Sequence, residues 1–220
     1  MLSTISRLVA VALTAFIVSR AWDLSMLLEG GSLRAMLADQ SLFSFHPACM
    51  SLGMLWCFTE ALLQIKARRA STTAADRVRK VQLHFFFVTA ATALGSYGFW
   101  AIYQNKANSG KDHFTSNHGK AGLAAMVLMW ANFLGGLARG GGAKVGFFQW
   151  LDPIHRNLGG AAFVAAAVAL GLGVYSGWGL NVLAAKNEQL LPPMAAALAI
   201  GALCALAYDP KPAAAAKKSA

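Results

Sequence analysis

Five histidines carry most of the chemistry this chain offers: His46, His84, His113, His118 and His155. The stretch Asp112-His113-Phe114-Thr115-Ser116-Asn117-His118-Gly119 sets two of them where a polar loop runs into a segment without charge from Ala121 to Leu137. His113 can face water there, and His118 cannot. An imidazole inside an apolar segment costs free energy unless something binds it. Because imidazole is both a metal ligand and a proton carrier near neutral pH, the pattern points to metal, haem or proton chemistry.

The elements that must position these residues are membrane helices. The 220 residues are 57% hydrophobic and 13% charged, too apolar for a soluble domain of this size. Six apolar segments run from Leu8 to Leu28, Leu42 to Ile65, Leu83 to Tyr103, His118 to Leu137, Leu158 to Val182 and Leu190 to Tyr208. Each is close to the ~20 residues that cross about 30 Å of hydrocarbon. The expected fold is therefore an all-α membrane protein of six transmembrane helices over residues 1–208, with an Ala/Lys-rich disordered tail over 209–220. Alternating segments of about ten residues, the mark of a β-barrel, do not occur. Arg20, Trp22 and Asp23 read as an interfacial helix end, so the run after Arg7 reads as the first span and not as a cleaved signal.

The formal charge is +10, with 19 Lys and Arg. Thirteen of these cations fall at the N-terminus, in the loops after the second and fourth helices and near the C-terminus, which places those segments in the cytoplasm. The basic balance reads as topology and contact with anionic lipid, not as nucleic-acid binding. Cys49, Cys57 and Cys204 have no paired spacing and read as packing residues. Glu60 lies well inside the second apolar run and must be protonated or paired; a neutral carboxyl hydrogen-bonded to a neighbouring helix is the expectation, ahead of a proton-relay role. Gly135-Gly136 and Gly140-Gly141-Gly142 read as a flexible inner connection at the end of the fourth helix, and the segment from Glu29 to Asp39 as an outer loop.

Helices two to five alternate in direction, and each is expected to begin with a histidine. His46 and His118 should then lie near the outer face, and His84 and His155 near the inner one. With short loops these helices close a four-helix bundle in which two faces four and three faces five. Each diagonal holds two imidazoles at one level. Such a couple suits the axial positions of an iron porphyrin, whose flat apolar ring a bundle can bury. A proton or metal-ion carrier would also use membrane histidines, and the pattern alone leaves both readings open.

The same residues carry a family resemblance. Phe45-His46-Pro47 with Met50-Ser51-Leu52-Gly53, then His84, then His113-Phe114-x-Ser116-x-His118-Gly119, then Pro153-Ile154-His155 with Gly159, resemble the cytochrome b561 family in order and spacing. Thr59-Glu60-Ala61-Leu62-Leu63 is similar to its domain-containing branch. The resemblance implies two haem b groups, one held by His46 and His118 on the non-cytoplasmic side and one by His84 and His155 on the cytoplasmic side. It implies electron transfer from cytoplasmic ascorbate to monodehydroascorbate or a ferric chelate, and a homodimer. His113 would act at the acceptor site, with Lys111 adding positive charge. The lysines that better-known branches place three and seven residues before the third-helix histidine are here Val81 and Arg77, so Arg77, Arg79, Lys80 and Arg156 are the candidate ascorbate-binding cations.

Overall fold

The computed structural model describes residues 1–22, 32–33, 37, 40–138 and 153–211. The Glu29–Asp39 loop as expected above, except for the isolated residues just named, lies outside the described residues. So do Asp23, Arg139, the glycines 140–142, Lys144, Asp152 and the tail from residue 212, with Lys217 and Lys218.

The described residues are all-helical, with six helices long and apolar enough to cross a membrane. They are α1 (Leu2–Ala21), α2 (Leu42–Ala70, one continuous run), α3 (Ala74–Asn108), α4 (Asn117–Ala138), α5 (Pro153–Val174) and α6 (Leu191–Ala207). α2 packs on α3, α3 on α4, α4 on α5, and α5 returns to the middle of α2, which makes a four-helix ring. α1 and α6 stand outside it, packed on each other, α1 against α2 and α6 against α5.

Three helices have boundaries that differ from the hydropathy pattern, and where one starts early the reason is that apolar length marks the hydrocarbon, whereas a helix can continue beyond it through polar turns. α3 starts at Ala74, where the Thr73 side chain accepts a hydrogen bond from Asp76 N at 3.1 Å. Arg77, Arg79 and Lys80 are thus helical, and His84 sits about three turns into α3, not within its first turn. α5 starts at Pro153, as proline at a first helical position favours, and ends at Val174 ahead of a short π-helical turn over Gly179–Leu183. α1 begins at Leu2, which puts Arg7 inside a span instead of ahead of it.

Small residues let the helices approach. A Cβ on Gly53 would lie 3.0 Å from Leu94 Cβ, and one on Gly95 would lie 2.6 Å from Met54 Cε, so α2 and α3 close on each other at both glycines. A Cβ on Gly201 would meet Val9 Cγ1 at 2.7 Å, which brings α6 onto α1. Ser6 Oγ donates to Gly201 O at 2.9 Å across the same contact. Within α2 the segment Ser51–Cys57 is wound as a π-helix, and the Ser51 carbonyl at its start accepts from Thr14 Oγ1 of α1 at 3.1 Å. Lys66 Nζ donates to the Ala205 carbonyl at 3.1 Å and also to Leu206 O, satisfying carbonyls at the C-terminal end of α6, while Arg69 pairs with Asp209 beside them. Cys49 and Cys57 are buried and Cys204 half-buried, and all three are free thiols that act as small apolar packing groups.

Candidate functional site

The ring of helices brings the four span histidines into two facing couples. His46 of α2 and His118 of α4 have ring centroids 5.9 Å apart with planes at 82°. His84 of α3 and His155 of α5 have centroids 6.5 Å apart with planes at 85°. The first couple lies at one end of the bundle and the second at the other, so two helices on each diagonal meet through imidazole.

Three of these rings are fixed by the backbone of the antiparallel neighbour. The Nδ1 atoms of His46, His84 and His118 lie 3.1, 2.9 and 2.8 Å from the carbonyl oxygens of Gly98, Ala61 and Ala169. A carbonyl only accepts, so each Nδ1 carries the proton and donates it, which leaves Nε2 with a lone pair free to ligate. Glycines face the Cε1 edges of two of the rings. A Cβ on Gly173 of α5 would lie 3.1 Å from His118 Cε1, and one on Gly136 of α4 would lie 3.2 Å from His155 Cε1. The two contacts are related by inversion of direction, since Gly136 follows His118 and Gly173 follows His155 by the same eighteen residues. Gly159, one turn past His155, has its own reason: a Cβ there would sit 2.9 Å from Asn132 Nδ2.

This donor set fits a haem. Two iron–nitrogen bonds of about 2 Å, with each nitrogen about 1.1 Å from its ring centre, set bis-imidazole centroids about 6 Å apart, and both couples fall at that spacing. Among the described residues no three His, Cys, Asp or Glu side chains gather as a site for a bare metal ion requires. A cavity of about 310 Å³ adjoins the His46–His118 couple, lined by Met50, Met126, Phe99 and Leu198 among others, a size within the range of cofactor sites.

The cavity continues to Tyr103, Lys106 and His113. His113 stacks on Tyr103 with centroids 3.9 Å apart and planes at 10°. Phe114 beside it adopts φ 55°, a left-handed conformation uncommon for a bulky side chain, and stacks on Phe99 at 6.0 Å. Lys106 Nζ donates to Asp112 O at 2.8 Å, which ties the loop to the end of α3. Lys106 and Tyr103 are therefore site residues that sequence reasoning missed, because Tyr103 closed the third apolar segment and Lys106 fell in the polar stretch beyond it. Lys111, expected there, is exposed and lies outside the cavity lining.

At the opposite end the expected cations sit on separate elements. Arg77 Nη1 donates to Ser71 O at 3.2 Å, and Arg79 Nη2 pairs with Asp76 Oδ1 at 3.0 Å. Lys80 is half-buried one turn before His84, and Arg156 is exposed next to His155. Glu60 is not the neutral carboxyl expected: it forms an ion pair with Arg7 across α1 and α2.

The family model described as eukaryotic cytochrome b561 matches residues 45–179, which takes in all four paired histidines. Transmembrane reductase CYB561D2 of Mus musculus is 30% identical over 146 residues, which cover 63% of this chain and 63% of that protein. Probable transmembrane reductase CYB561D1 of Homo sapiens is 28% identical over 140 residues, covering 63% and 61%. Transmembrane ascorbate-dependent reductase CYB561 of Bos taurus is 26% identical over 134 residues, covering 60% and 52%. The matched stretch thus spans less than two thirds of the length of these curated relatives.

Proposed function

The chain belongs to the cytochrome b561 family, and from that premise we propose that it is a transmembrane reductase that passes electrons from cytoplasmic ascorbate to monodehydroascorbate or a ferric chelate on the far side. The observation that carries this reading is the pair of facing imidazole couples at opposite ends of one bundle, with Nδ1 of His46, His84 and His118 committed to backbone carbonyls. His46 and His118 would hold one haem b, and His84 and His155 a second. When bound, haem b supplies a one-electron iron couple that no side chain here offers.

The residues around each couple supply binding and orientation. Lys66, Arg68, Arg69, Arg77, Arg79 and Lys80 cluster in sequence before His84, so that end is assigned to the cytoplasm. Arg77, Arg79, Lys80 and Arg156 would attract an ascorbate monoanion there, with guanidinium groups offering paired donors to its oxygens. At the other end Lys106, and Lys111 in the exposed loop, favour an anionic acceptor. The stacked His113 imidazole would bind the acceptor and move a proton at a ring nitrogen. The relative named as ascorbate-dependent supports the choice of donor. A carrier of bare metal ions is the weaker reading, because among the described residues the histidines meet in twos and no further ligand joins them.

The test is a reduced-minus-oxidised absorption spectrum of the purified protein, followed by stopped-flow reduction with ascorbate. Two b-type haems that ascorbate reduces support the reading, and a colourless preparation rules it out. His113→Ala is expected to keep both haems and their spectra but to slow reduction of the outer acceptor by on the order of 10²-fold. Unchanged acceptor kinetics would return His113 to the loop residues.

A further inference from the structure

Arg7 and Glu60 lie in two membrane spans, and the reading above gives them no task. Arg7 Nε and Nη2 meet Glu60 Oε2 and Oε1 at 2.7 and 2.9 Å, a two-pronged contact. Gln64 Nε2 also donates to Glu60 Oε1. The carboxylate side chain is 12% exposed and the guanidinium 41%. The next residue after Glu60 is Ala61, whose carbonyl receives the Nδ1–H of His84 at 2.9 Å. One peptide unit therefore separates this ion pair from the hydrogen bond that holds a ligand of the second imidazole couple. α1 stands outside the ring of helices, and Arg7 ties it to Glu60 of α2.

Stability alone does not account for such a part-buried pair, since exposed ion pairs contribute little and replacing buried ones by apolar residues is often neutral or stabilising. Its electrostatic effect on a redox centre is another matter. The pair is neutral as a unit, but either half alone is a full charge in a medium of low dielectric.

Resting on the haem reading, we propose that the Arg7–Glu60 pair tunes the His84/His155 site: the two balanced charges hold the reduction potential of the group bound there and leave the His46/His118 site nearly untouched. A lone guanidinium would favour the reduced, less positive form, and a lone carboxylate the oxidised one. At an effective dielectric of about 20, a unit charge about 12 Å from a redox centre shifts its equilibrium roughly tenfold, or about 59 mV for a one-electron couple. His46 lies fourteen residues before Glu60 on the same helix, so its couple feels a weaker field.

The experiment is a potentiometric titration of the full-length protein with both haems bound, the two centres being told apart by which one His84→Ala removes. Glu60→Gln, isosteric with the native side chain, should raise the potential of the His84/His155 centre by about 59 mV, a tenfold change in the ratio of reduced to oxidised form. It is the decisive arm, because a guanidinium cannot discharge by losing its proton. Arg7→Gln should lower the same potential, Arg7→Lys should keep it near the wild-type value, and the double variant Arg7→Gln/Glu60→Gln should restore it. If Arg7→Gln does not fold, Glu60→Gln and the double variant still carry the sign; if Glu60→Gln does not, Arg7→Gln against Arg7→Lys does. Shifts of the same sign in both single variants, equal shifts at both centres, or no shift in Glu60→Gln or in Arg7→Gln at a pH that keeps Glu60 ionised would overturn the proposal and leave the pair a packing contact. Absence of haem from the wild-type protein would instead strike the reductase reading itself.

Discussion

His118→Ala is expected to lower the haem content from about two per chain to about one, and His155→Ala to do the same by emptying the other site. His118 and His46 face each other with centroids 5.9 Å apart, so removing either imidazole leaves a single ligand opposite a gap. The other couple draws on different helices, α3 and α5, and keeps both of its rings. Haem stoichiometry by the pyridine haemochrome method, with a spectrum of each variant, reads the outcome. The spectrum left by His46→Ala should match that left by His118→Ala and differ from that left by His84→Ala or His155→Ala. Variants that all lose both haems, or a His46→Ala spectrum that resembles the His84→Ala one, would count against the pairing. Transfer of electrons across a sealed vesicle should fall to background in all four, since each couple lies at one end of the proposed route.

Gly173→Leu and Gly136→Leu are expected to reproduce those two losses without touching a ligand. A Cβ at either position would fall 3.1 or 3.2 Å from a histidine Cε1, tighter than ordinary contact, and the rest of a leucine has to displace the ring. His118 cannot swing aside at low cost, because its Nδ1 is bound to Ala169 O at 2.8 Å one turn away on the same face of α5. Overpacking of this kind typically costs about 1–3 kcal/mol. The bundle should therefore fold, with Gly173→Leu deficient in the haem proposed for His118 and Gly136→Leu in the one proposed for His155. Thermal melts and haem stoichiometry separate the two effects. Full occupancy with an unshifted spectrum in both variants would show that the glycines serve helix packing alone.

How much of this could be read beforehand depended on what each residue's partner was. Apolar run lengths located six spans, because hydrocarbon thickness fixes how many residues must be apolar. The same signal could not see Asp76 to Lys80 as helix, since those turns are polar, and it therefore put His84 too near the start of α3. The couples His46–His118 and His84–His155 followed from alternating direction and short loops, and that inference tolerated the error in His84, which depends on level and not on distance from a helix end. Glu60 was recognisable as a residue needing a partner, but Arg7 was not recognisable as that partner, because the hydropathy boundary left it outside the first span. Gly136 and Gly173 were invisible for another reason. A glycine's purpose lies in what crosses it, and only the eighteen-residue offset from His118 and His155 in both helices could have suggested it. Tyr103 and Lys106 needed the loop beyond them to fold back before they became part of a site.

The π-wound segment Ser51–Cys57 gives α2 a tolerance its neighbours lack. Along α2, fifteen residues separate His46 from Ala61, whereas on the antiparallel α3 fourteen separate His84 from Gly98, although these are the same two rungs of one ladder. A wider coil takes up the surplus residue and keeps both rungs level. Loss of one residue between Ser51 and Cys57 would let the coil tighten to ordinary winding with its ends still in step, while the same loss in α3 would rotate one half of that helix by about 100° against the other. A single-residue gap is thus a change that evolution can make in the middle of α2 without unseating either imidazole.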